Sequence, residues 1–146
     1  MKAISRKETL VKINGMETEK KRILVVDDEP SITRLLKLNL EQTNDYEVRT
    51  ENDSEKAVAA AEEFQPDLIL LDVMMPGLDG GELASRFEAN PKLKNVPIVF
   101  LTAAATKSEV HARGGKVGGL RFLAKPVELS EVLACLKQHL GEGTNR

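Results

Sequence analysis

Tryptophan is absent from this chain, tyrosine occurs once, and cysteine occurs once, at Cys135. A lone cysteine excludes a disulfide within the chain and any cysteine-rich metal centre. Lying among Leu133 and Leu136, it reads as a core residue, the usual setting of a free thiol. Aromatic residues make up 3% of the sequence and the net charge is -2, which leaves few rings for base stacking and no basic field to draw in nucleic acid. No apolar stretch nears the roughly 20 residues that span a bilayer, and the N-terminus lacks the apolar segment of a secretory signal. Nucleic-acid binding and membrane insertion are thus not expected, and the chain reads as a cytoplasmic protein. The two histidines, His111 and His139, fall on expected helix or loop surfaces and read as surface residues rather than relay groups or ligands.

What the chain does have is a set of continuous apolar runs. Ile23-Leu24-Val25-Val26, Leu68-Ile69-Leu70-Leu71 and Ile98-Val99-Phe100-Leu101 have the length and composition of strands buried on both faces, which belong to a parallel sheet covered by helices. Weaker strands are expected at Tyr46 to Thr50 and Leu120 to Ala124. Between them lie segments of helical period, such as Ile32, Leu35, Leu36 and Leu40, or Leu129, Val132, Leu133, Leu136 and Leu140. Punctuation agrees: Pro30 suits a first helical turn, Asp79 with Glu82 reads as a capping box, and Gly141 follows the last apolar helical position. Phe64, Phe87 and Phe100 fit core positions. Strand and helix alternate, so the expected fold is α/β, a doubly wound five-stranded parallel sheet with about five helices on its two faces. At 146 residues and 41% hydrophobic, one core is the expectation. Residues 1–22 carry seven Lys or Arg against three Glu, a net of +4, leaving -6 for the rest of a chain whose total is -2. The expected organisation is a flexible basic extension over 1–20, one domain over 21–141 and a short tail over 142–146.

Polar residues stand where the apolar runs stop. Asp27-Asp28, Asp72, Thr102 and Lys125 each follow or end an expected strand, and in an open parallel sheet the carboxyl ends of the strands are where ligands bind. Three carboxylates brought together repel, which favours protonation of one unless a cation neutralises them. With oxygen ligands alone, a hard ion such as Mg2+ suits better than zinc. A carboxylate so placed can attack a phosphoryl donor and become an aspartyl phosphate. Each residue also has an ordinary explanation: Asp-Asp-Glu-Pro is good N-capping chemistry, Asp72 could open a turn, Thr102 could close a strand, and lysines are usually solvated. Their shared placement at the ends of different strands is what those explanations leave out.

The segments Ile23-Leu24-Val25-Val26-Asp27-Asp28-Glu29-Pro30, Leu68 to Gly80 with Leu71-Asp72-Val73-Met74-Met75-Pro76-Gly77, Val96 to Ala103, and Phe122-Leu123-Ala124-Lys125-Pro126 together resemble the receiver domains of two-component response regulators. The resemblance covers roughly Lys21 to Leu140 and implies a flavodoxin-like sheet of strand order 2-1-3-4-5. It implies that Asp72 is the phosphoacceptor and that Mg2+ (or Mn2+) is held by Asp28, Asp72 and the backbone carbonyl of Met74, with Asp27 acting through water. Thr102 and Lys125 would contact the phosphoryl group, Phe122 would be the switch aromatic, and the Lys125-Pro126 bond would be cis. The phosphodonor would be a sensor histidine kinase or a histidine phosphotransfer protein, and output would pass to another protein from the surface of the fourth helix, fifth strand and fifth helix.

The implied protein is a single-domain regulator of chemotaxis or phosphorelay type, a self-phosphorylating and slowly self-dephosphorylating acceptor rather than a turnover enzyme. Two departures from the family pattern stand out. Gly114, Gly115, Gly118 and Gly119 crowd the stretch where the fourth helix is expected, so that helix should be short or mobile. Met74 and Ala104 offer no polar side chain to orient an attacking water, which implies a long-lived phosphoryl group. Three other readings compete. An Mg-dependent aspartyl-phosphate phosphatase needs a second acid where Met74 stands. A flavodoxin-like cofactor protein would need a phosphate-cradling loop where this one is acidic. A receiver-like interaction module that is never phosphorylated would have no need of the site residues kept here.

Overall fold

Lys21–Val26 (β1), Tyr46–Glu51 (β2), Leu68–Asp72 (β3), Ile98–Thr102 (β4) and Leu120–Ala124 (β5) pair in parallel, in the spatial order β2-β1-β3-β4-β5. This computed structural model describes residues 10–13, 16–103, 116–117 and 120–141. Among the described residues the helices are Pro30–Glu41 (α1), Ala57–Phe64 (α2), Gly80–Ala89 (α3) and Leu129–Leu140 (α4). A 3-10 turn, Ser54–Lys56, leads into α2.

The apolar runs are continuous because each strand is covered on both faces. Leu24, Val26, Ile69, Leu71 and Phe100 project into one core with Ala57, Ala60, Ala61 and Phe64 of α2 and Leu83, Ala84 and Phe87 of α3. Ile23, Val25, Leu68, Leu70, Val99 and Leu101 project into the other, with Leu36 and Leu40 of α1 and Val132, Cys135 and Leu136 of α4. The alternation of side chains along a strand thus divides one run between two cores. Helix ends follow their local chemistry. Pro30 occupies the first turn of α1, the Asp79 side chain accepts from the Glu82 N–H at the start of α3, and Gly141 closes α4 with φ +73°.

Two elements differ from the sequence reading. Residues 10–13 and 16–19, expected as flexible extension, pair as antiparallel strands. Asn14-Gly15, between them in sequence, is a strong short-range hairpin signal that a search for longer periods passes over. Lys116–Val117, within the stretch expected to be helical, is a two-residue strand antiparallel to β5 on its outer edge. The residues linking it to β5 are Gly118-Gly119, a pair that two-residue hairpin loops favour over helix. The rest of the expected fourth helix, with His111 and Ala104, lies outside the described residues. His139 is half-buried rather than a surface group: its Nδ1 lies 2.9 Å from the Cys135 carbonyl oxygen, to which it donates as the N–H tautomer.

Candidate functional site

Register decides what meets at the carboxyl edge of the sheet. Val26 stands opposite Leu71, so the chain leaves β1 at Asp27 level with Asp72, the last residue of β3. Thr102 ends β4 opposite Ala124, which places Lys125 immediately beyond, its N–H donating to the Thr102 carbonyl at 2.8 Å. Four strand ends therefore deliver Asp27, Asp72, Thr102 and Lys125 to one place. Asp27, Asp72 and Thr102 are buried there, at 0%, 4% and 5% exposure.

The acidic residues form a compact group. Carboxylate oxygens of Asp27, Asp28 and Asp72 all lie within 4.8 Å of one another, with Asp28 the most exposed of the three. Asp27 Oδ1 accepts from the Glu29 N–H at 3.0 Å, which folds the loop entering α1 around the carboxylate. Lys125 Nζ sits 2.8 Å from Asp27 Oδ2 and 3.3 Å from Asp72 Oδ1. The Met74 N–H reaches the same Asp72 oxygen at 3.3 Å, while the Met74 side chain is 71% exposed.

Burial, and after it the charge of Asp27, push the Asp72 carboxyl up from 3.8 to about 6; the Lys125 ammonium and the Met74 N–H oppose this without cancelling it. Burial by itself would lower the Lys125 pKa, but the Asp27 and Asp72 carboxylates together outweigh it and raise it. One ammonium among three carboxylates leaves an excess of negative charge. The donor set is oxygen only and carries more carboxylate than ammonium charge, so these residues fit a hard divalent cation such as Mg2+.

The loop after Asp72 is held tightly. Gly80 N–H donates to the Val73 carbonyl at 2.9 Å, and a Cβ at Gly80 would stand 2.7 Å from the Asp72 carbonyl oxygen and 2.8 Å from Val73 Cα. Only a residue without a side chain lets α3 begin against the backbone of Asp72. Sequence reasoning did not single out Gly80, because a close approach between segments leaves no local pattern. Phe122 is half-buried and stacks on Phe100, the ring centroids 5.2 Å apart, which joins it to the core beneath α2 and α3. The expected cis bond is present between Lys125 and Pro126. Just outside the site, Ile32, Leu35 and Leu36 of α1 face Pro126, Val127 and Leu129 across an apolar hollow of about 160 Å³ that Lys125 borders.

Comparison with known proteins agrees with this geometry. The family model of the response regulator receiver domain matches residues 23–137. The alkaline phosphatase synthesis transcriptional regulatory protein PhoP of Bacillus subtilis is 42% identical over 117 residues, 80% of this chain and 47% of that protein. The chain spans about half the length of this and other transcriptional regulators that it matches. Among solved structures, the chemotaxis protein CheY4 of Vibrio cholerae superposes with a TM-score of 0.70 at 30% identity, covering 83% of this chain and 99% of that one. The receiver domain of the sensor histidine kinase PA1611 of Pseudomonas aeruginosa, solved with a magnesium ion coordinated in its active-site cleft, superposes with a TM-score of 0.69 at 29% identity over 84% of this chain and 98% of that one. On its residues, its sheet order and these likenesses together, the chain belongs to the response regulator receiver domain family.

Proposed function

We propose that this receiver accepts a phosphoryl group on Asp72 from a phosphohistidine of a sensor kinase or phosphotransfer protein, and that the acyl phosphate so formed alters its affinity for a protein target. The observation that carries the reading is the buried Asp72 carboxylate, flanked by Asp27 and Asp28 and 3.3 Å from the Lys125 ammonium. A carboxylate with a pKa of about 6 is mostly ionised at neutral pH and so has an oxygen lone pair available for attack on phosphorus. As the Asp72 O–P bond forms, the donor N–P bond breaks, and its electron pair stays on the imidazole nitrogen, which takes up a proton.

Bound Mg2+ would supply the positive charge that lets a phosphoryl group approach three carboxylates, and Asp28, Asp72 and the Met74 carbonyl, with Asp27 through water, would hold it. The protein's own part is positioning. Lys125, which pairs with Asp27 and Asp72, has a new partner in the phosphoryl oxygens, and the Thr102 hydroxyl is a second donor at the same edge. Hydrogen bonds that form only to the phosphorylated site shift population toward one arrangement; a coupling of about 1–3 kcal/mol alters target affinity roughly 5- to 150-fold. Phe122 on Phe100 is the packed element through which that shift reaches the outer strand. The apolar hollow beside Lys125, with Leu35 57% exposed at its rim, suits the docking of an apolar donor helix within reach of Asp72.

The test is incubation with acetyl phosphate, with and without Mg2+, followed by intact mass spectrometry. One added phosphoryl group, dependent on Mg2+ and lost in Asp72→Ala, is expected. Its absence from folded wild-type protein would favour a receiver-like module that binds its partner without being phosphorylated.

A further inference from the structure

β2 contributes none of the charged residues of the site, yet the turn that follows it touches both of the loops that do. Asn52, the first residue after β2, donates its Nδ2 hydrogens to the Asp27 carbonyl oxygen at 2.7 Å and to the Thr33 hydroxyl at 3.1 Å. That carbonyl belongs to the peptide unit joining Asp27 to Asp28, so fixing it fixes how the two acidic side chains leave the backbone. Two residues on, Ser54 is 3% exposed and its hydroxyl works in both directions. It donates to the Pro76 carbonyl at 3.1 Å and accepts from the Leu78 N–H at 3.0 Å, gripping the loop that carries Met74. Between them, the Asp53 side chain accepts from the Glu55 N–H at 2.9 Å and closes the 3-10 turn, which stiffens the bridge.

We infer that Asn52 and Ser54 are positioning residues for the cation site, holding the β1–α1 loop and the β3–α3 loop at the spacing at which Asp27, Asp28, Asp72 and the Met74 carbonyl act together. The inference rests on the reading that these groups bind Mg2+. Neither is one of the groups that would hold the cation: Asn52 acts through the Asp27 backbone, and Ser54 through Pro76 and Leu78 of the loop that follows Met74. Ser54 carries the larger effect, because its hydroxyl and its Leu78 partner are buried where water does not readily replace the lost group, whereas Asn52 is exposed and water can stand in for part of its role.

The deciding measurement is a Mg2+ titration of the isotope-labelled full chain, followed by the amide shifts of Asp28 and Met74. Ser54→Ala is expected to raise the Mg2+ dissociation constant about 10-fold, in the range seen when groups orienting metal ligands are removed, and Asn52→Ala by a smaller factor. Thr43→Ala is the control. Its hydroxyl makes a similar pair of bonds, to the Leu40 carbonyl and from the Asp45 N–H, but in the α1–β2 connection away from the acidic edge. It should leave Mg2+ affinity unchanged. In the acetyl phosphate reaction, the half-saturating Mg2+ concentration should rise for both site variants while the rate at saturating Mg2+ returns toward wild type. Should Ser54→Ala fail to fold, Asn52→Ala decides. Wild-type Mg2+ affinity in the folded variants, or an equal loss in Thr43→Ala, would overturn the inference alone. No Mg2+-dependent shift in the wild-type chain would overturn the reading of the cation site, and this inference with it.

Discussion

Asp72 is held in tension between its surroundings and its chemistry. A buried carboxyl pushed up to about 6, against 3.8 in the unfolded chain, binds its proton more tightly when folded. Its contribution to stability is therefore fully present below about pH 4 and is lost as pH rises through about 6, the reverse of an aspartate whose pKa is lowered by folding. In chelator at pH 7.5, Asp72→Asn should stabilise the protein by about 1–3 kcal/mol in urea denaturation, and the gain should vanish near pH 4. An unchanged midpoint at both pH values would show that Lys125 already neutralises the site. Lys125→Met should move Asp72 further upward, since the ammonium acts to lower it; carboxyl chemical shifts followed against pH would read this directly. At Met74 the side chain is exposed and apolar, so it cannot orient water for attack on an acyl phosphate. Met74→Asn is expected to shorten the lifetime of the phosphorylated protein several-fold, measured by loss of the added mass after removal of the donor.

At the scale of elements, two contacts hold strands and helices in the positions that the site needs. The start of α3 approaches β3 so closely that Gly80→Ala would set a methyl group against the Asp72 carbonyl and Val73 Cα. Backbone must shift to admit it, at a cost of about 1–3 kcal/mol of stability, and weakened Mg2+ binding should accompany the loss because the displaced residue is Asp72. At the opposite end of β1, the buried Arg22 guanidinium donates to the Phe64 carbonyl at 2.8 Å, lies over the Phe64 ring at 5.4 Å from its centroid and pairs with Glu47 at 3.3 Å. One side chain thus joins β1, β2 and α2. Arg22→Met keeps the stem but leaves the end of α2 without its donor, and should destabilise by about 1–2 kcal/mol without changing Mg2+ affinity. The alternation of strand and helix was legible from the apolar runs, and so were the starts of α1 and α3, because Pro30 and Asp79 act within one turn of chain. Arg22 and Gly80 were not, since their partners arrive only when separate elements pack.

For the whole molecule, the sheet divides the described core residues into two clusters, one on each of its faces. Leu136 of α4 is fully buried in one of them, while Leu38 of α1 is 56% exposed. Leu136→Ala should cost about 2–5 kcal/mol and Leu38→Ala under about 0.5 kcal/mol, measured by urea unfolding. Equal effects would mean that α4 does not cover the sheet as described. Among the described residues no helix is long and apolar enough to cross a membrane, in keeping with the lack of long apolar runs. The basic N-terminal stretch was expected to extend freely, and the paired strands at 10–13 and 16–19 show how an antiparallel pair escapes a reading tuned to parallel strands.

Sequence by itself determined that this protein is a doubly wound sheet with carboxylates and a lysine at one edge. Both facts are local in origin: burial on two faces demands unbroken apolar runs, and a run's end is where a polar loop begins. Only the tertiary structure decided how those groups affect one another. The 2.8 Å pairing of Lys125 with Asp27, the raised pKa of Asp72 and the grip of Asn52 and Ser54 on two separate loops all join residues far apart in the chain. Electrostatic and hydrogen-bond energies depend on distance in space and on exclusion of water, and neither is set until the sheet has closed over its helices.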